Sequence, residues 1–232
     1  MNFSKDLIFP WNEADSQGAR SDSPPPKYSH KFELDDETLR DGMQSASVIS
    51  PSISEKIQIL HFMEELGVDI ADIGLPGAGP RIQQDVEMLA TEISRQNMRI
   101  RAACAARTMI EDIAPIARIT QKTGVPIEVH AFIGSSPIRH FTENWSPEKL
   151  LHQIETTFEF CNREKLEVMF VTEDTTRASP KMLEELYGTA IRCGARRICI
   201  SEYGGIRVPS RNRQSHCLPP EDDRKNRGRC KG

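Results

Sequence analysis

One pattern in this chain returns six times and limits what it can fold into. A short apolar run is followed by an amphipathic stretch, at intervals of roughly 30 residues, the length of one strand-plus-crossover-helix unit. KFELDDETL, IADIGLP, RIRAACAA, PIEVHAFIG, LEVMFVTED and RRICIS read as strands. The stretches between them read as helices: SPSISEKIQILHFMEELG, RIQQDVEMLATEISRQ, MIEDIAPIARITQKTG, SPEKLLHQIETTFEFC and SPKMLEELYGTAIRCG. Helical spacing puts Ile59, Met63 and Leu66 on the inner face of the first helix, with Gly67 as its stop. It aligns Leu150, Leu151, Ile154 and Phe158 in the fourth, and Met182, Leu183, Leu186, Tyr187 and Ala190 in the fifth. Apolar strands alternating with one-faced helices mean a parallel sheet covered by helices.

Two α/β architectures satisfy that pattern, an open doubly wound sheet and a closed (β/α)8 barrel. Three polar clusters separate them. Thr38 to Gln44, His130 to Ser136 and Glu173 to Arg177 all fall at or just past the C-terminal ends of strands. Polar side chains collected there from several strands are the active-site arrangement of a barrel. An open sheet gathers its site at one switch point. No G-x-G-x-x-G follows the first strand, and GLPGAGP lacks the Lys-Ser/Thr of a phosphate-binding loop.

Each cluster has a plain reading and a chemical one. Arg40-Asp41-Gly42 is either a surface turn with an ion pair, or a corner where Asp41 binds a hard cation and Arg40 meets a carboxylate or carbonyl oxygen. His130 is either a hydrogen-bonded core residue, or a group that touches a substrate carbonyl or carries a proton. VTEDTTR either caps the helix starting near Pro180, or turns Glu173 inward while Arg177 pairs locally.

The formal net charge of −4 gives no electrostatic case for nucleic acid or membrane binding. The six cysteines are scattered without a C-x-x-C pair, which reads as reduced thiols and not as a disulfide frame or zinc site. No segment approaches the ~20 apolar residues of a bilayer span. MNFSKDLIFPWNEADSQ carries no basic start and no apolar core of a secretion signal, so the expected location is the cytoplasm.

Taken together, L-R-D-G-x-Q after the first strand, H-x-F-I-x-x-S-P-I after the fourth and E-D-x-x-R after the fifth resemble a known family. It is the group of acyl-CoA condensing and cleaving metalloenzymes with a pyruvate carboxyltransferase domain, including 2-isopropylmalate synthase, homocitrate synthase and hydroxymethylglutaryl-CoA lyase. The resemblance runs from about Phe32 to Ile200. It implies a (β/α)8 barrel with a divalent metal (Mg, Mn or Zn) at its C-terminal mouth. It also implies an enolate of acetyl-CoA attacking a 2-oxo acid, with lyase-type C–C cleavage as the alternative chemistry. By resemblance Asp41 is a metal ligand, and Arg40, His130 and Glu173 are catalytic. Gln44, Ser135 and Thr175 are further substrate contacts. The partners implied are a 2-oxo acid and an acyl-CoA, and the family's frequent dimers are consistent with a homodimer. Met43 stands where the family often has Glu, and Arg139 where it often has His.

The family's remaining metal ligands, an H-x-H on strand seven and an Asn near strand eight, have no counterpart here; no H-x-H occurs in the chain. With six β/α units the barrel is incomplete and cannot close, leaving two sheet edges. Three segments are therefore expected: a disordered leader at 1–30, a partial barrel at 31–201 and a disordered basic tail at 202–232. EYGGIRVPSRNR is compatible with a codon string that, one base shorter, encodes D-T-V-G-Y-A-S-P-A-G-T, the family's usual continuation. The tail is thus expected to be translated out of frame, and a non-catalytic remnant is the alternative to an active enzyme. A basic arm binding an acidic partner is the rival reading of the tail.

Overall fold

The structure, a computed structural model, describes residues 32–201. The expected leader and the expected basic, out-of-frame tail lie outside the described residues.

Six parallel strands form one sheet in chain order. They are β1 (Asp35–Asp36), β2 (Ile70–Asp72), β3 (Arg101–Arg107), β4 (Ile127–Gly134), β5 (Val168–Glu173) and β6 (Arg197–Ile200). The crossover helices are α1 (Ile53–Leu66), α2 (Pro80–Gln96), α3 (Ile110–Thr123), α5 (Pro147–Arg163) and α6 (Pro180–Arg192). A short α4 (Pro137–Glu143), not expected from the sequence, follows β4. Local chemistry sets where the helices start. Ser136, Ser146 and Ser179 each accept a backbone N–H in the first turn, and each is followed by proline at the first helical position. Ser52 and Glu55 form a reciprocal capping box on α1, which ends at Gly67 with φ 80°.

The sheet is curled. Five inter-strand steps of about 4.8 Å would set the edges of a flat sheet about 24 Å apart. Instead Arg197 at the start of β6 reaches Glu33 beside β1 at 3.1 Å. The edges approach without pairing, so among the described residues the barrel stays open, as the six-unit pattern implies.

Side chains alternate between the two faces. Ala102, Cys104 and Ala106 of β3, Val129, Ala131 and Ile133 of β4, and Phe170 of β5 point outward into the helix layer. Phe170 meets Phe158 and Tyr187 edge-on, with ring centroids 6.2 and 6.0 Å away. On β6 the outward Ile198 and Ile200 remain exposed.

Two sequence expectations shift. The buried stripe of α1 is Lys56, Leu60 and Met63, while Leu66 is 81% exposed. Lys56 is buried because it pairs with Asp85 of α2 at 2.7 Å, a partner that hydrophobic periodicity alone does not reveal. β1 is only two residues long, because Asp36 accepts the Thr38 N–H at 2.7 Å and turns the chain out of the strand.

Candidate active site

That early turn presents Arg40 and Asp41 to the C-terminal mouth of the sheet. The Glu37 carbonyl accepts the N–H groups of Arg40 and Gly42, which closes the turn tightly. Arg40 Nη1 pairs with Asp41 at 2.8 Å and lies 3.6 Å from Glu37. Its guanidinium sits 5.7 Å from the Phe132 ring centroid, a cation–π position. Its Nε faces Asp72 Oδ2 at 3.8 Å.

Asp72 ends β2 and is wholly buried, pointing inward. His130, buried on the inner face of β4, lies between acids. Its Nδ1 is 3.7 Å from Asp72 Oδ2; its Nε2 is 3.5 Å from Glu128 and 3.8 Å from Asp35. These are ion-pair distances, longer than good hydrogen bonds. Burial alone would lower the imidazole's pKa, but Asp72, Glu128 and Asp35 outweigh it and raise it to about 9. Burial, reinforced by the Asp72 charge, pushes the Glu37 carboxyl up to about 7. Asp35 is likewise raised, first by burial.

Arg40, Asp41, His130 and Glu173 line one pocket of about 390 Å³. Phe132, Met169 and Val171 form its apolar wall. The structure thus brings together four of the residues that the sequence singled out. Gln44 sits exposed in the short turn Gly42–Gln44 and does not line the pocket. Ser135 is buried and donates to the Glu173 carbonyl at 2.7 Å. Thr175 is buried and donates to the carbonyls of Thr172 and Ser201 at 2.8 and 2.9 Å. Both hydroxyls are consumed by backbone that shapes the mouth, and neither lines the pocket. The Glu173–Arg177 cluster is not the cap of α6, whose N-cap is Ser179. Arg177 pairs locally with Asp174 at 3.2 Å, as expected.

Asp72, Glu37, Asp35 and Glu128 were not singled out from the sequence. The signal available was an acid at an inward position of a strand, as in IADIG and PIEVH.

Among the described residues, four buried polar atoms at this mouth have no hydrogen-bond partner: Arg40 Nε, Asp72 Oδ2 and both ring nitrogens of His130. Buried polar atoms are rarely left so. Glu37, Asp72 and His130 each place one ligand atom within 4.8 Å of the others. Two carboxylates and an imidazole form a donor set that suits Mg, Mn or Zn. A larger hollow of about 620 Å³ opens at the opposite, N-terminal end of the sheet. Arg99, Arg101 and Arg197 on its walls are already ion-paired within the protein.

The family described as HMGL-like matches residues 31–215. The 2-isopropylmalate synthase of Lactococcus lactis subsp. cremoris (strain SK11) is 31% identical over 180 residues, covering 77% of this chain and 34% of that protein. That of Sediminispirochaeta smaragdinae is 30% identical over 180 residues, with the same shares covered. The chain therefore spans about a third of the length of these curated relatives. Among solved structures, hydroxymethylglutaryl-CoA lyase from Pseudomonas aeruginosa superposes with TM-score 0.59 at 17% identity, over 78% of this chain and 60% of that one. The Bacillus subtilis HMG-CoA lyase gives 0.56 at 15% identity, over 74% and 58%. At such identities the likeness concerns the fold, the barrel of those lyases.

Proposed function

The chain belongs to the HMGL-like family, and from that premise we propose that its strand-end pocket serves a Claisen-type condensation of acetyl-CoA with a 2-oxo acid, of the 2-isopropylmalate or homocitrate synthase kind. The observation that carries this reading is a group of buried atoms without hydrogen bonds on Arg40, Asp72 and His130, set behind one open pocket that Arg40 and His130 line. Arg40 is held by Asp41, and its Nε, without a hydrogen bond, faces Asp72 at 3.8 Å; the guanidinium at the pocket wall is placed to meet the oxygen on which negative charge develops. Phe132, Met169 and Val171 give the acceptor's carbon chain an apolar wall and exclude water from one side. His130 is positively charged at neutral pH when no metal is present, and in that state it is not a base. Glu173, at the end of β5, faces the same space. Glu37, Asp72 and His130 would hold a divalent metal, with Asp41 at the rim as a further carboxylate. When bound, that ion supplies Lewis-acid polarisation of the 2-oxo carbonyl. Metal and proton compete for His130, since only the neutral imidazole is a ligand.

The second reading is a chain that binds the acceptor without turning it over. It is favoured by Asp72 Oδ2, which Arg40 Nε and His130 Nδ1 already face at 3.8 and 3.7 Å, so the inner acid is balanced without a metal. Calorimetry of a 2-oxo acid panel with Mn²⁺, beside a thiol-release assay with acetyl-CoA, separates the two. Binding with release supports condensation, binding without release supports the second reading, and no binding in either experiment removes both.

A further inference from the structure

Beneath the pocket, β4 turns three residues inward in succession, Glu128, His130 and Phe132, two positions apart. The strand register puts His130 level with Met169 of β5, and Met169 level with Arg197 of β6. Arg197 thus stands on the same rung as the histidine, one strand beyond its neighbour. Its side chain passes Met169 and forks onto Glu128. Nε donates to Oε1 at 3.0 Å and Nη2 to Oε2 at 2.6 Å. The third nitrogen, Nη1, reaches Glu33 at 3.1 Å, and Glu33 is also held by Arg101 at 2.8 Å. The Glu128 oxygen that takes the 2.6 Å bond is the one facing His130 Nε2 at 3.5 Å.

A buried ion pair of this kind is weak support for a fold, because well-packed apolar side chains would serve stability as well or better. The pair also lies where it touches both ends of the barrel interior. Glu128 and Arg197 line the N-terminal hollow, while His130 lines the pocket above. Glu128 is 7% exposed and its two oxygens are committed to one guanidinium, so its carboxylate cannot swing. We propose that Glu128, clamped by Arg197, is a positioning residue: it takes the Nε2–H of His130 and so fixes the ring with Nδ1 toward Asp72 and the pocket. This rests on the reading of the pocket as a metal and 2-oxo acid site. A carboxylate behind a histidine ligand sets its ring orientation and raises its basicity. Here the carboxylate is itself held by an arginine from another strand. The same arginine contacts Glu33 beside β1, so the anchor behind His130 also ties β6 to the start of the sheet.

The test uses the full chain with its His ring nitrogens followed by ¹⁵N-resolved NMR, in chelator and then with Mn²⁺ titrated calorimetrically. The variants are Glu128→Gln, Arg197→Lys, Asp35→Asn and His130→Asn. In chelator the wild type is expected to show a slowly exchanging Nε2–H on His130. Asp35→Asn keeps that signal, Glu128→Gln, whose amide oxygen is a weaker acceptor than a carboxylate, shifts it and speeds its exchange, and Arg197→Lys, which keeps charge but not the fork, broadens it. The signal persisting unchanged in Glu128→Gln overturns the proposal. Both substitutions preserve shape or charge, and a thermal melt of each variant reports the fold separately. With Mn²⁺, Glu128→Gln is expected to weaken binding by about tenfold to a hundredfold. Mn²⁺ affinity indifferent to His130→Asn overturns the metal-site reading, whatever the ring signal does. Affinity that falls in His130→Asn but not in Glu128→Gln overturns the positioning role alone.

Discussion

His130 Nδ1 and Asp72 Oδ2 face each other at 3.7 Å inside the sheet, and neither atom has a hydrogen-bond partner. The folded protein therefore keeps the imidazole charged, with its pKa up at about 9 against 6.5 for an ordinary histidine. A group with a raised folded-state pKa contributes stability that is fully present below about pH 6.5 and lost as pH rises through about 9. In chelator, urea denaturation of the wild type should show that loss between those limits. His130→Gln should be less stable than the wild type at pH 6, and the gap should narrow by pH 9.5. A gap that does not change with pH contradicts the charge assigned to the ring.

Glu37 behaves with the same sign for a different reason. Burial and then the Asp72 charge raise its carboxyl to about 7 from 4.5, so the folded state holds this proton longer than the unfolded one. Its contribution is best below about pH 4.5 and fades as pH climbs through 7. Glu37→Gln removes the charge while keeping the shape. The variant should melt higher than the wild type at pH 8 in chelator, with little difference at pH 5. Equal melting temperatures at pH 8 would show that the carboxylate is solvated in place.

The alternation of strands and helices was legible because both periods are local. An apolar run next to a one-faced stretch needs no knowledge of partners. The corner at Arg40 and Asp41 and its meeting with Glu173 were legible because each lies at or past a strand end, whereas His130, expected at the end of its strand, lies in the middle of β4 and reaches the pocket from the inner face of the sheet. Asp72 and Glu128 were not found because they sit inside strands, where a parallel sheet is usually apolar on both faces. Only the curl of the sheet turns that inner face into a place where Asp72 meets His130 and Glu128 meets Arg197. Lys56 was hidden for a similar reason, since Asp85 lies on another helix. Ser135 and Thr175 looked like site hydroxyls from their strand-end positions. Which carbonyl each one bonds is set by neighbouring strands.

The loop after β2 gives a backbone test. A Cβ placed on Gly77 would lie 2.7 Å from Asp112 Cγ. Asp112 cannot give way easily, because its two oxygens accept from Arg107 Nε and Nη2 at 2.7 Å each. Gly77→Ala should therefore destabilise the protein by about 1–3 kcal/mol, the usual penalty of forcing an atom into a packed site. Denaturant midpoints measure it. Asp112→Ala should reduce the Gly77 penalty, since it removes the Cγ and Oδ1 being struck and leaves only its Cβ, 3.0 Å away.

Asp41 and Asp72 make opposite demands on a metal. Asp41 is 52% exposed and bonded to Arg40 at 2.8 Å, so a cation reaching it must compete with that guanidinium. Asp72 is fully buried, with one oxygen occupied by the N–H groups of Gly74 and Ala105 and the other, Oδ2, without a hydrogen bond, facing Arg40 Nε at 3.8 Å and His130 Nδ1 at 3.7 Å. A carboxylate oriented by its first oxygen and open at its second is the better prepared ligand. Asp72→Asn should weaken Mn²⁺ binding by at least about tenfold, whereas Asp41→Asn should weaken it less and should also release Arg40. The Arg40 effect is read separately, as a change in 2-oxo acid affinity at saturating Mn²⁺. Asp41→Asn abolishing Mn²⁺ binding while Asp72→Asn leaves it intact would move the ion from the inner cluster to the rim, and Asp72 would then be a partner of Arg40 and His130 only.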